Sequence, residues 1–277
     1  MSALDGPPIL ANCSAAFLDF GANRGLKTQQ LLNGDPSSFL RFFPADDRGA
    51  VCALGAEPNP SHRPTLRAIE ERQRAAGRRV TILDVAIASE NGEATFWSDQ
   101  DYQAHEWGAS LLKWQREMEP KHSSRVRTVS LDWLLRRHVL PAAPRFVVAK
   151  LDVEGAEYKA VPPALESLCR SVDVLLLEMH ARFFKEKWRG HRPGFSTNLT
   201  LVEHLIGLLK GLPKRRRAGS CRTQVKPLGT VEQENAHLAE RPARRSSAAV
   251  RAHYDIWSKR TREQQGGSIR GRQNVRL

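Results

Sequence analysis

The chain has 277 residues, of which 40% are hydrophobic, and its 43 Lys or Arg against 30 Asp or Glu give a formal net charge of +13. That charge is concentrated: from Lys214 onward there are 16 Lys or Arg and 5 Asp or Glu, so the preceding body is close to neutral and has no need of a polyanionic partner. No run of about 18 apolar residues occurs, which excludes a membrane-spanning helix.

Residues 1–14 read as a lead-in. Met1-Ser2-Ala3-Leu4-Asp5-Gly6-Pro7-Pro8 has neither the cationic start nor the apolar stretch of a signal peptide, so a cytoplasmic location is expected. Ala15 to Phe20 is the first apolar run of strand length, and Leu26 to Leu32 follows with helical periodicity. Ala50 to Ala56 reads as a strand, Pro60 to Ala76 as a helix and Val80 to Ala86 as a strand. Asn91-Gly92 signals a turn ahead of the extended Glu93 to Trp97. Ser124 to Val129 is again extended and runs into a short helix, Leu131 to His138.

Phe146 to Leu151 and Val172 to Glu178 are further strands, the latter nearly all apolar, as a strand covered on both faces must be. Between them Glu157 to Leu168 is long enough for a crossover helix, which Pro162-Pro163 should end early or kink. Leu199 to Leu209 has an amphipathic period, Cys221 to Leu228 reads as a late strand, and no closing antiparallel pair is evident. Strands alternating with helices imply an α/β fold over residues 15–212, a central, mostly parallel sheet flanked by helices. Residues 213–277 form a basic tail with too few apolar side chains to offset the entropy of ordering, and disorder is expected there. Its Lys214-Arg215-Arg216-Arg217 and Arg241 to Arg251 stretches read as solvated, with nuclear targeting or RNA contact as the alternative.

Cys13, Cys52, Cys169 and Cys221 lie far apart with no metal-like spacing. Cys52 and Cys169 fall in or beside apolar runs and read as small buried hydrophobes, which suits a reducing compartment.

Three constellations carry chemistry. Phe17 to Gly25 is an apolar strand ending in a Gly-rich turn that opens a helix, with Asp19 two residues before Gly21. Glycine lets backbone approach a ligand, and the spacing G-x-x-x-G is not the G-x-G-x-x-G of a dinucleotide site. A carboxylate at Asp19 favours a ligand with a cationic end. Ala56-Glu57-Pro58-Asn59-Pro60 puts an acid at the tip of the second strand, where two ribose hydroxyls are commonly accepted. Lys150-Leu151-Asp152-Val153-Glu154-Gly155-Ala156-Glu157 places two carboxylates in a loop after a strand and a third in the first turn of a helix. Asp152 and Glu154 would repel each other unless they hold something cationic. Glu157 has two readings, ligand contact and complementation of the helix terminus.

Together with Asp84 to Gly92 and Thr128-Val129-Ser130-Leu131-Asp132, these segments resemble the FkbM family of methyltransferases in order and spacing across about residues 15 to 210. The resemblance implies a Rossmann-like class I methyltransferase core using S-adenosylmethionine, with a hydroxyl on a small molecule or sugar as acceptor. It implies that Asp19, Gly21, Asn23 and Gly25 line the methionine part of the cofactor, and that Ala22 and Asn59 also belong to the cofactor site. Glu57 would take the ribose, Asp84 and Val85 would flank the adenine, and Asp152 would sit beside the sulfonium. The chain departs from the pattern by starting almost at the first strand and by ending in the basic tail.

Should a base be required, Asp152, Glu154 and His180 are the candidates; an unperturbed imidazole at the end of the last apolar strand would accept a hydroxyl proton. No metal ligands are assigned, although a divalent ion bridging Asp152 and Glu154 is an alternative. The rival functions are a nucleic-acid methyltransferase that holds phosphates with its tail and an inactive binding module. Against the first, the tail has few aromatics, Tyr254 and Trp257 being the exceptions.

Overall fold

The computed structural model describes residues 3–98, 109–112, 122–178, 180, 221 and 223–228, all within the unit Met1–Ala236. In chain order its strands are β1 (Ala15–Phe20), β2 (Val51–Ala56), β3 (Val80–Leu83), β4 (Ala86–Ala88), β5 (Gly92–Trp97), β6 (Ser123–Ser130), β7 (Phe146–Leu151), β8 (Val174–Leu177) and β9 (Gln224–Pro227). The helices are α1 (Leu26–Leu32), α2 (Arg63–Ala75), α3 (Leu131–Leu134) and α4 (Glu157–Ser171).

Six strands form one parallel sheet in the order β3-β2-β1-β7-β8-β9. Successive side chains of a strand face opposite ways, and both faces are buried here, which is why the strands are apolar throughout. Leu18, Phe20, Leu54, Ala149 and Leu175 pack with Leu131, Leu134, Val161 and Leu168 of α3 and α4. Their neighbours in register, Phe17, Ala53, Val148 and Leu176, pack instead with Leu31, Phe39 and Leu66 on the side of α1 and α2. The sheet is therefore flanked by helices on both faces, as the alternation in sequence implies.

Strand order reverses at β1, which pairs with β2 on one side and β7 on the other. That leaves a crevice beyond the carboxyl ends of β1 and β7, the usual ligand position in such sheets. β4, β6 and β5 make a separate three-stranded sheet: the extended segment after Asn91-Gly92 is β5, and it pairs antiparallel with β6 rather than back onto β4.

Four local readings are corrected. The run Val80 to Ala86 is not one strand: it breaks at Asp84, which turns out to meet Arg63 and Arg67 of α2, and resumes as β4. Pro162 and Pro163 do not end α4. They deprive the Tyr158 and Lys159 carbonyls of their donors, but Ala160, Val161, Ala164 and Leu168, all buried against the sheet, hold the helix through them. The helix after β6 is regular only over α3 and widens to a π turn across Leu135–Val139. Finally, the cysteines are paired, Cys13 with Cys52 and Cys169 with Cys221, at sequence separations of 39 and 52 that give no local signal. Cys52 is buried as the sequence implies, but it is joined to Cys13 rather than standing as an isolated hydrophobe.

The late strand is present as β9, parallel to β8. Leu199 to Leu209, Lys214 to Arg217 and Arg241 to Arg251 lie outside the described residues, as do Tyr254 and Trp257. Among the described residues no helix is long and apolar enough to cross a membrane.

Candidate active site

The crevice is built from three strand ends. After β1 the chain turns at Gly21 (φ +79°), where a β-carbon would lie 1.7 Å from the Asp152 carbonyl oxygen. Only glycine permits that approach of two backbones. The Gly21 and Ala22 N–H groups donate to the Ala56 carbonyl (3.0 and 3.1 Å), and the Asp152 N–H donates to Phe20 (3.0 Å), so the loops after β1, β2 and β7 are tied together. Asn23 adopts a left-handed conformation (φ 50°) that its side chain supports by accepting from the Arg24 N–H. Gly25, also left-handed, lies against the side-chain ends of Leu66 and Ile69, which a β-carbon would have to displace.

Glu57 follows β2 and is buried, its Oε2 accepting from the Asn23 N–H (2.7 Å) and its Oε1 from the Asn59 N–H (2.9 Å). Burial pushes its pKa up to about 7, against the pull of those two donors and of Lys150. An ionised carboxylate has roughly four acceptor positions, so two remain.

Asp19 is wholly buried and accepts from Thr28 Oγ1 (2.7 Å). The β1–β7 register sets it opposite Lys150, whose ammonium lies 3.4 Å from Asp19 Oδ1, 3.2 Å from Asp152 Oδ2 and 2.8 Å from the Gly21 carbonyl. Burial acts to lower the Lys150 pKa, but the Asp152 and Asp19 carboxylates outweigh it and hold the ammonium above its ordinary range. One cation thus joins the two strand-end acids.

The loop after β7 contains Glu154 in a left-handed conformation (φ 52°), its carbonyl accepting from Ser110 Oγ (2.6 Å). Such strain in a bulky residue survives where surrounding structure imposes it, commonly at ligand sites. His180, beyond β8, turns its Nε2 toward Glu154 (3.3 Å), Asp152 (3.6 Å) and Glu178 (3.6 Å). Its Nδ1 lies 2.8 Å from Glu157 Oε1, which also accepts the His180 N–H (3.1 Å). Glu157, wholly buried, additionally accepts from the Gly155 N–H through Oε2 (2.9 Å). Burial acts to lower the His180 pKa, but hydrogen bonds and charges from Glu154 and Glu157 overcome it and push it up to about 11. The imidazole is therefore not the unperturbed one anticipated: at neutral pH it is a cation clamped among carboxylates.

Gly21, Asn23, Glu57, Asn59, Asp152 and Glu154 line one cleft. Ala22, Asp19 and Gly25 are not part of the lining; Asp19 and Ala22 are buried. Asp84 and Val85 are not part of the lining; Asp84 is engaged by Arg63 (3.0 Å) and Arg67 (3.2 Å), and Val85 belongs to the core. The next residues, Ala86 and Ile87, do line the cleft, together with Phe96 and Leu111, an apolar wall that sequence reasoning missed. It also missed Lys150. Among the described residues, Asp152, Glu178 and His180 bring ligand atoms within 4.8 Å of one another, a cluster whose cationic place the protonated imidazole itself takes.

Residues 19–219 match the family model described as the methyltransferase FkbM domain. A solved structure of methyltransferase FkbM from Methylobacillus flagellatus KT is similar at 15% identity and a TM-score of 0.35, over 59% of this chain and 35% of that one. The chain thus spans about a third of that protein's length. No curated protein matches.

Proposed function

The chain belongs to the FkbM methyltransferase family, and from that premise we propose that it transfers the methyl group of S-adenosylmethionine to a hydroxyl of a small molecule or sugar. The observation that carries this reading is the convergence of Gly21, Glu57, Asp152 and Glu154, from three strand ends, on one cleft. The residues present fit the cofactor: the Gly21 turn lines the cleft beside Asp152, two acceptor positions of Glu57 suit a pair of ribose hydroxyls, and Ala86, Ile87 and Phe96 suit a flat purine. Asp152 and Glu154 supply the negative field a sulfonium needs.

When bound, S-adenosylmethionine supplies a methyl carbon already activated by its positive sulfur. The protein's part is alignment, which can lower a barrier by roughly 7–11 kcal/mol, and removal of the hydroxyl proton. The chain's own part in the proton's removal is a carboxylate at the cleft that would accept it from the acceptor hydroxyl. With His180 already protonated, Glu154 and Asp152 are the acceptors we assign, and His180 holds both in place.

Titration calorimetry with S-adenosylmethionine tests the reading, because an inactive module should give no saturable heat. Glu57→Gln should weaken cofactor binding about ten- to hundredfold, the loss of hydrogen bonds to a charged group. The pH dependence has a defined sign. A carboxyl raised from 4.5 to about 7 favours the fold while protonated, so its stabilising contribution is present below about pH 4.5 and is lost as pH rises through about 7. Cofactor affinity should run the other way, strengthening as pH climbs through about 7, because the ionised form is the better acceptor. A flat profile in the unmodified protein would remove Glu57 from the ribose site.

His180→Ala should lower turnover by about 10²-fold, the scale of a misplaced proton acceptor, while cofactor affinity changes little. A screen of hydroxyl compounds with labelled cofactor supplies the acceptor for that comparison, and unchanged turnover would remove His180 from the reaction.

A further inference from the structure

At the opposite end of the sheet, where β2 and β3 begin, lies a second cavity of about 220 Å³. The end of α2 shapes it. Gly77, in a left-handed conformation (φ +76°), donates its N–H to the Arg74 carbonyl, and the Arg78 N–H donates to Gln73, both at 2.9 Å. This pairing terminates the helix and reverses the chain, so that Arg78 and Arg79 fall between α2 and β3.

Arg74, Arg78 and Arg79 all line the cavity. Arg74 is matched by Glu70 (3.0 Å). The other two meet no carboxylate among the described residues. Arg78 Nη1 donates to the Gly49 carbonyl (3.0 Å) and Arg79 Nη2 to the Ala11 carbonyl (2.6 Å), partners that fix each guanidinium without neutralising it. Two positive charges are thus fixed on the cavity lining, each with about four further N–H donors. The rest of the lining is Ile9, Leu10, Ala53, Val80 and the Cys13–Cys52 pair, with Thr81 the one neutral polar side chain.

We propose that this cavity binds the phosphate group of a small organic molecule, its anion on Arg78 and Arg79 and its apolar body against Ile9, Leu10 and the Cys13–Cys52 pair. A guanidinium presents parallel N–H groups that match phosphate oxygens, and prior fixation by main-chain carbonyls reduces the ordering cost of binding. A bare phosphate would leave most of the volume to water, whose share is about 30 Å³ per molecule. The site is independent of the methyl-transfer cleft and does not rest on the reading given to it.

The test is calorimetric titration of the full chain with phenyl phosphate, inorganic phosphate and phenol. Saturable binding of phenyl phosphate is expected, tighter than that of either fragment and weakened by added salt. Arg78→Gln and Arg79→Gln should each weaken it about tenfold, with S-adenosylmethionine affinity and melting temperature unchanged. The proposal is overturned if phenyl phosphate does not saturate at millimolar concentration, or if its binding survives both replacements. Equal binding of inorganic phosphate would overturn the organic part, and equal binding of phenol the anionic part.

Discussion

Gly21→Ala is expected to abolish cofactor binding. A β-carbon at this position would stand 1.7 Å from the Asp152 carbonyl oxygen and 2.8 Å from its carbon, both of them backbone atoms. Side chains can rotate out of the way; a carbonyl held between two strand ends cannot. The φ of +79° adds a local cost that only glycine avoids. The loops after β1 and β7 must therefore separate, breaking the bond from the Asp152 N–H to Phe20 and displacing the Lys150 contact with the Gly21 carbonyl. Strain of this kind commonly costs about 1–3 kcal/mol of stability, and the loss of binding should exceed about a hundredfold. Calorimetry and thermal unfolding on one preparation separate the two effects. Wild-type affinity in the variant would mean that the Gly21 turn and Asp152 do not form one site.

Lys150→Met should be the most destabilising single change in the site. Met matches the volume but removes the charge shared by Asp19 and Asp152, and Asp19 is wholly buried. Breaking a buried pair from one side costs about 3–5 kcal/mol, most of it the penalty of the stranded charge. That origin gives the control. Adding Asp19→Asn should recover a large part of the lost stability, whereas the same change in the wild-type background should destabilise. Chemical denaturation of the four proteins reads the coupling, and additive effects would mean that Lys150 and Asp19 do not act as a pair.

These two positions show why the sequence is legible in one respect and opaque in another. The sheet could be read because strands buried on both faces must be apolar over their whole length, as β1 and β8 are. The acids Glu57, Asp152 and Glu154 could be read because they follow such runs at once. Lys150 interrupts Val147-Val148-Ala149 and looks like a lapse in the pattern; what explains it is the register opposite Asp19, a fact about two distant segments. A clue was available, since lysine in a strand covered on both faces requires a carboxylate. Glu157 sits where a helix favours negative charge, and that local account concealed its grip on His180, 23 residues away. Asp84, which the resemblance sets beside the adenine, meets two arginines that α2 brings to it, a pairing no short-range pattern announces. The cysteine pairs likewise join segments that no short-range pattern connects.

The position of β9 decides how the basic C-terminal residues can be studied. It is hydrogen-bonded to β8, and Leu228 just after it is buried among the side chains of the α1 and α2 face. A truncation at Lys214, where the charge begins, would strip this last ribbon away and bare the edge of Val174-Leu175-Leu176-Leu177. An apolar edge with unpaired backbone groups recruits other chains, so such a protein would aggregate for reasons unrelated to its arginines. A cut placed after Leu228 keeps all six strands and removes the Arg241 to Arg251 stretch, while the Lys214 to Arg217 run is better neutralised by substitution.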